Sequence, residues 1–167
     1  METEQWLLET ESAAETQAVA AQLARRLRGG DVVALVGDLG AGKTAFTQGL
    51  AAGLGITAPV TSPTFVLINR YRAADGRVLQ HADCYRLADA SAEMWDIGLT
   101  DLMAGDEIVV IEWADRIADL LPAERLEITF AYLAENRRRL TFVGHGARWT
   151  TLVRRLRASV SSSTAKI

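Results

Sequence analysis

Two stretches of the chain are apolar without interruption, and most of the others alternate or repeat. "DVVALVG" (31–37) and "EIVVIEW" (107–113) are continuous runs of the kind expected of parallel strands covered by helices on both faces. "SAAETQAVAAQLARRLRGG" predicts a helix, with Val19, Leu23 and Leu27 four residues apart on one stripe. Ser12 and Glu15 have the spacing of a capping box, and Gly29-Gly30 end the pattern. A second helix should begin near Lys43, with Phe46, Leu50 and Leu54 in line and Gly49 and Gly53 permitting close packing. "PTFVLINRYR" and "RVLQHADCY" alternate like strands, joined by a turn at "AADG". "SAEMWDIGLTDLM" reads as helical, and "RLEITFAY" with "RRLTFVG" as a hairpin around "LAEN". "RWTTLVRRLRA" closes the pattern as an amphipathic helix carrying Trp149, Leu152, Val153 and Leu156. The expectation is a single three-layer α/β domain over residues 1–158, with a mostly parallel central sheet and a C-terminal antiparallel hairpin. The polar residues 159–167, ending "SSSTAKI", are expected to be a disordered tail.

Composition changes this picture little. The chain has 167 residues, 49% hydrophobic and 23% charged, which is ordinary for a globular protein and enough for a proper core. No apolar run is long enough to span a bilayer, and the acidic start lacks the form of a secretory signal, so a cytoplasmic location and no membrane partner are expected. Cys84 is the only cysteine, which excludes an internal disulfide. Net charge is −3, yet the segment from Arg137 onward has eight basic residues and no acidic one. That end suits RNA, an acidic protein surface or simple solvation; the acidic remainder argues against a general nucleic-acid binder.

The chemistry concentrates in "GDLGAGKTAF" (37–46). Gly37, Gly42, Lys43 and Thr44 satisfy G-x-x-x-x-G-K-[ST], the phosphate-binding loop. Glycines let backbone N–H groups of residues such as Asp38, Leu39, Gly40, Ala41 and Ala45 turn toward a polyphosphate. The following helix offers its positive end, Lys43 a charge for the outer phosphates, and the Thr44 hydroxyl a ligand for Mg2+. No N-K-x-D base-reading loop is present, so ATP is expected rather than GTP.

Such a site still needs a carboxylate at a strand end near the loop. Glu112 ends an apolar strand, and Asp83 shares a strand face with His81 and Tyr85. Either acid could instead cap a helix or form an ion pair. His81 alone reads as a packed core histidine, and His81 and His145 have no zinc-type spacing with Cys84. Trp113 could stack or merely pack. Arg86 could pair with Asp83 or approach the phosphates.

"GDLGAGKT", "SPTF" (62–65), "HADCYRL" (81–87) and "IEW" (111–113) together resemble the bacterial TsaE family of tRNA threonylcarbamoyladenosine biosynthesis proteins, over about Ser12 to Phe142. The resemblance implies a P-loop ATPase with low intrinsic turnover, working with TsaB and TsaD to modify adenosine beside the anticodon. It implies that Thr44 and Glu112 hold Mg2+, that Asp83 acts in hydrolysis beside Lys43, and that Arg137 approaches the nucleotide. Ser62, Pro63 and Thr64 resemble its switch segment, and Tyr85, Arg86 and Trp113 are expected to respond to partners. tRNA would be met indirectly or through the basic C-terminus. Ala45 departs from relatives that often have a second hydroxyl there. Two other functions fit the loop alone: a small-molecule or nucleoside kinase, which would need an arginine-bearing lid not evident here, and a nucleotide-gated binding module.

Overall fold

In a computed structural model, residues 1–38, 40–63 and 67–164 are described. The strands are β1 (Thr3–Thr10), β2 (Val32–Gly37), β3 (Ile68–Arg72), β4 (Val78–Asp83), β5 (Ile108–Glu112), β6 (Arg125–Ala134) and β7 (Arg137–His145). The helices are α1 (Ala13–Ala24), α2 (Lys43–Gly53), α3 (Ala90–Asp96), α4 (Leu99–Met103) and α5 (Ala147–Thr164), with a 3-10 segment over Ala114–Leu120. One sheet holds all seven strands in the order β1-β7-β6-β2-β5-β4-β3. It is parallel at its centre, where β2 lies between β5 and β6 and β4 adds to β5. Both flanks are antiparallel, through β3 on one side and β6, β7 and β1 on the other.

The two continuous apolar runs form β2 and β5 at the centre, as their composition demands. Pleating sends Val33, Leu35, Ile108 and Val110 to one face, against α1, α2 and α5. Val32, Ala34, Val109 and Ile111 go to the other, against α3, α4 and the 3-10 segment. The result is three layers with a core on each side of the sheet.

Local signals place the helices. The Ser12 hydroxyl accepts the Glu15 N–H at 3.0 Å, capping α1, while the Glu15 carboxylate takes the Glu11 N–H at 2.6 Å. α1 and α2 pack so closely that a Cβ on Gly49 would stand 2.5 Å from the Gln17 carbonyl oxygen. The predicted 91–103 helix divides into α3 and α4, with Gly98 between them.

Two elements differ from expectation. β1 was not anticipated: "TEQWLLET" pairs antiparallel with β7 along its whole length, burying Trp6 and Thr10. The residues expected to begin a disordered tail at 159 continue α5 to Thr164. Val160 extends the stripe of Trp149, Val153 and Leu156 into the core, and the Ser159 hydroxyl donates to Gln22 of α1 at 2.7 Å. Residues 165–167 lie outside the described residues. Among the described residues no helix is long and apolar enough to cross a membrane.

Candidate functional site

The glycine-rich loop leaves the C-terminal end of β2 and turns into α2, at the edge where β4 and β5 also end. Ligands of open α/β sheets gather at that edge. Gly42, the N-cap of α2, has φ of 109° and no side chain to cap the helix, so the first-turn N–H groups face outward for an anion. Gly37 at the loop's start allows no Cβ, which would meet the Phe130 carbonyl oxygen at 2.7 Å. The loop therefore lies against β6.

Lys43 is buried beneath its own loop. Its ammonium donates to the carbonyls of Gly37 and, at 2.8 Å, Asp38, and lies 4.1 Å from the centre of the Trp113 ring. Burial lowers its pKa, opposed by the charges of Glu112, Asp83, Asp115 and Asp38.

Glu112 and Asp83 are paired in register at the ends of β5 and β4, both facing α2. The Thr44 hydroxyl donates to Glu112 Oε1 at 2.9 Å and is 3.0 Å from the Ser62 hydroxyl. The other oxygen, Oε2, is 2.6 Å from His81 Nε2. Ser62, Thr44, Glu112 and His81 thus form one polar chain running from the cleft into the core, where His81 is wholly buried. Asp83 lies outside it. Its Oδ1 accepts the Tyr85 N–H at 2.9 Å. Burial, with the charge of Glu112 added, raises its pKa despite that bond and the pull of His81 and Lys43.

After Glu112 the backbone reverses. Trp113 has φ of 58°, a left-handed conformation that costs a bulky residue about 1–3 kcal/mol. The turn brings its ring onto Tyr85, with centroids 4.8 Å apart, and over Lys43. Arg116, which the sequence did not single out, donates to the carbonyls of Tyr85 and Leu87 and ties that segment down.

A cleft of about 350 Å3 opens over these groups. Gly40, Gly42, Lys43, Thr44 and Ala45 line one side of it. Ser62, Pro63, Leu67, Asp83, Tyr85, Arg86, Glu112 and Trp113 line the rest. Arg86 makes no ion pair with Asp83 among the described residues. Asp38 and Ala41 belong to the loop's frame, the Ala41 N–H donating to the Asp38 carbonyl at 3.1 Å. Leu39 and Thr64 lie outside the described residues. Arg137 does not join the site: it pairs with Glu9 on β1 at 2.6 Å. Its neighbour Arg138, turned to the opposite face by the strand's pleat, donates to the Gly40 carbonyl at 3.3 Å and stands 4.5 Å from the Tyr132 ring centre.

A mixed α/β sheet with a glycine loop, a buried lysine and a hydroxyl–carboxylate pair at the strand ends defines a domain of the phosphate-binding-loop class. The profile of the TsaE family, described as threonylcarbamoyl adenosine biosynthesis protein TsaE, matches residues 10–140, and the chain belongs to that family. It is 44% identical over 143 residues to the tRNA threonylcarbamoyladenosine biosynthesis protein TsaE of Bacillus subtilis, covering 85% of this chain and 87% of that one. It is 42% identical over 135 residues to its counterpart in Streptomyces coelicolor, covering 78% and 90%. The crystal structure of Bacillus subtilis YdiB superposes with a TM-score of 0.80 at 37% identity, covering 95% of this chain and 98% of that one.

Proposed function

We propose that this chain serves tRNA threonylcarbamoyladenosine synthesis as a Mg2+-dependent ATPase, slow alone and accelerated by TsaB and TsaD. The observation that carries this reading is the Thr44–Glu112 contact of 2.9 Å beside the glycine loop and the buried Lys43. A hydroxyl and a carboxylate are hard oxygen donors suited to Mg2+, whose remaining positions fall to water and phosphate. Among the described residues no group of three or more His, Cys, Asp or Glu gathers as a fuller metal cage, in keeping with an ion shared with its substrate.

Roles follow from position. The loop N–H groups and Lys43 hold the phosphate tail, with Lys43 exchanging the Gly37 and Asp38 carbonyls for phosphate oxygens. When bound, Mg2+ offsets the charge that gathers on the terminal phosphoryl group. Asp83, with its raised pKa and one oxygen free of the Tyr85 bond, accepts a hydrogen bond from the attacking water. Ser62 links the switch segment to Thr44 and so to the ion. Tyr85, Arg86 and Trp113 form the opposite wall, where a partner would set Arg86 or supply its own arginine; such a group is worth about 10³–10⁵ in rate. The role of tRNA in the assembly is read from the family alone.

Phosphate release from ATP, measured for the chain alone, with TsaB–TsaD, and with tRNA added, tests the proposal. Turnover should rise on adding the heterodimer, with no phosphorylated small molecule formed. A flat response would remove the partner-activated reading.

A further inference from the structure

His81 is the polar group that the reading above leaves without a task. It is wholly buried on β4, one strand away from Glu112, on a face it shares with Leu79. An apolar residue would fill that place with no polar group to satisfy. Instead Nε2 is 2.6 Å from Glu112 Oε2, and Nδ1 has no hydrogen-bond partner among the described residues. An ionised carboxylate only accepts, so the ring turns an N–H at Nε2 toward it. One nitrogen is left unsatisfied so that the other can hold the acid.

We propose that His81 is a positioning residue for the divalent ion's carboxylate: by holding Oε2 of Glu112 it fixes the plane of that side chain and presents Oε1 to the Thr44 hydroxyl. This rests on the function proposed above. Glu112 has two χ angles and a terminal torsion to settle, and Thr44 alone would leave the carboxylate free to pivot about Oε1. With both oxygens bonded, on opposite sides and to different elements, one orientation remains. The side chain is only 2% exposed, so water gives Oε2 little alternative. Without His81, Oε2 would be a buried unpaired charge, and the acid would turn toward the cleft to solvate it. Outer-shell partners of metal ligands typically carry 10–100-fold in metal affinity.

Calorimetric titration of ATP into the full chain, with MgCl2 and with EDTA, tests this on wild type, His81→Met and His81→Gln. Met keeps the volume and loses the donor; Gln restores an N–H donor. His81→Met should lose about 10–100-fold of the Mg2+-dependent part of the affinity while binding in EDTA stays at the wild-type level, and His81→Gln should recover most of the loss. Equal losses with and without Mg2+, or Mg2+ dependence unchanged in His81→Met, would overturn the proposal. A wild type that binds no ATP would instead defeat the functional reading beneath it. Should His81→Met not fold, the 15N imidazole spectrum of the wild type decides. A ring with hydrogen on Nε2 whose signals move when Glu112→Gln is introduced supports the assignment, and a ring with hydrogen on Nδ1 alone overturns it.

Discussion

Asp83 and Glu112 are neighbours in register, yet their surroundings give them different chemistry. Both Glu112 oxygens have a side-chain partner, whereas Asp83 has one backbone N–H and a carboxyl pushed up by burial. Two acids whose environments diverge in this way are suited to the separate roles proposed for them. A raised carboxyl has a sign in stability. Below the ordinary aspartate value of 3.8 it is protonated in both folded and unfolded chains and costs nothing. Above its folded pKa the native state carries the disfavoured carboxylate, and stability is lower. Asp83→Asn should therefore melt higher than wild type at pH 7 to 8, with the gain shrinking toward pH 4, while hydrolysis is lost. A variant that melts lower at neutral pH would show Asp83 to be a structural acid. Both acids were legible because they end strands beside the loop. His81 was not, since spacing fixes its face but not which neighbour its ring meets on β5. Along β7 it is Arg138, in phase with the buried Leu140 and Phe142, that turns toward the loop, while Arg137 takes the other face. Cys84, a small filler by sequence, is buried with its thiol pushed up to about 12 by desolvation.

At the scale of elements, the loop is held by the helix pair behind it. Gly49 and Gly53 let α2 lie directly on the backbone of α1, and Phe46 of the first turn packs edge-on against Phe130 of β6. Gly49→Ala should lose about 1–3 kcal/mol from overpacking, more than the roughly 1 kcal/mol that alanine adds in helix propensity. Urea unfolding checks it; a variant more stable than wild type would mean the helices separate freely. The sequence showed these helices through their stripes and glycines. It hid β1, because Leu7 interrupts the alternation of Trp6, Leu8 and Thr10 and is left exposed. It also hid the end of α5, where Val160 is a lone apolar residue among serines and only the fold supplies its contact.

For the whole molecule, the sheet's central parallel strands bring three sequence-distant segments to one edge: the glycine loop after β2, Asp83 at the end of β4 and Glu112 at the end of β5. The basic C-terminal part is partly neutralised within the fold. Arg137 and Arg139 meet Glu9, Arg148 meets Asp31 and Arg154 meets Glu4, which leaves Arg155 and Arg157 among its exposed charges. That reduces the case for a continuous RNA-binding face at this end. The proposed nucleotide site is built on the phosphate-binding loop, and Lys43 is its charged member. Calorimetry of MgATP with Lys43→Ala, beside a circular dichroism spectrum to show the fold retained, measures the claim directly. Binding should disappear while the spectrum stays the same. A folded Lys43→Ala protein with wild-type ATP affinity would contradict it.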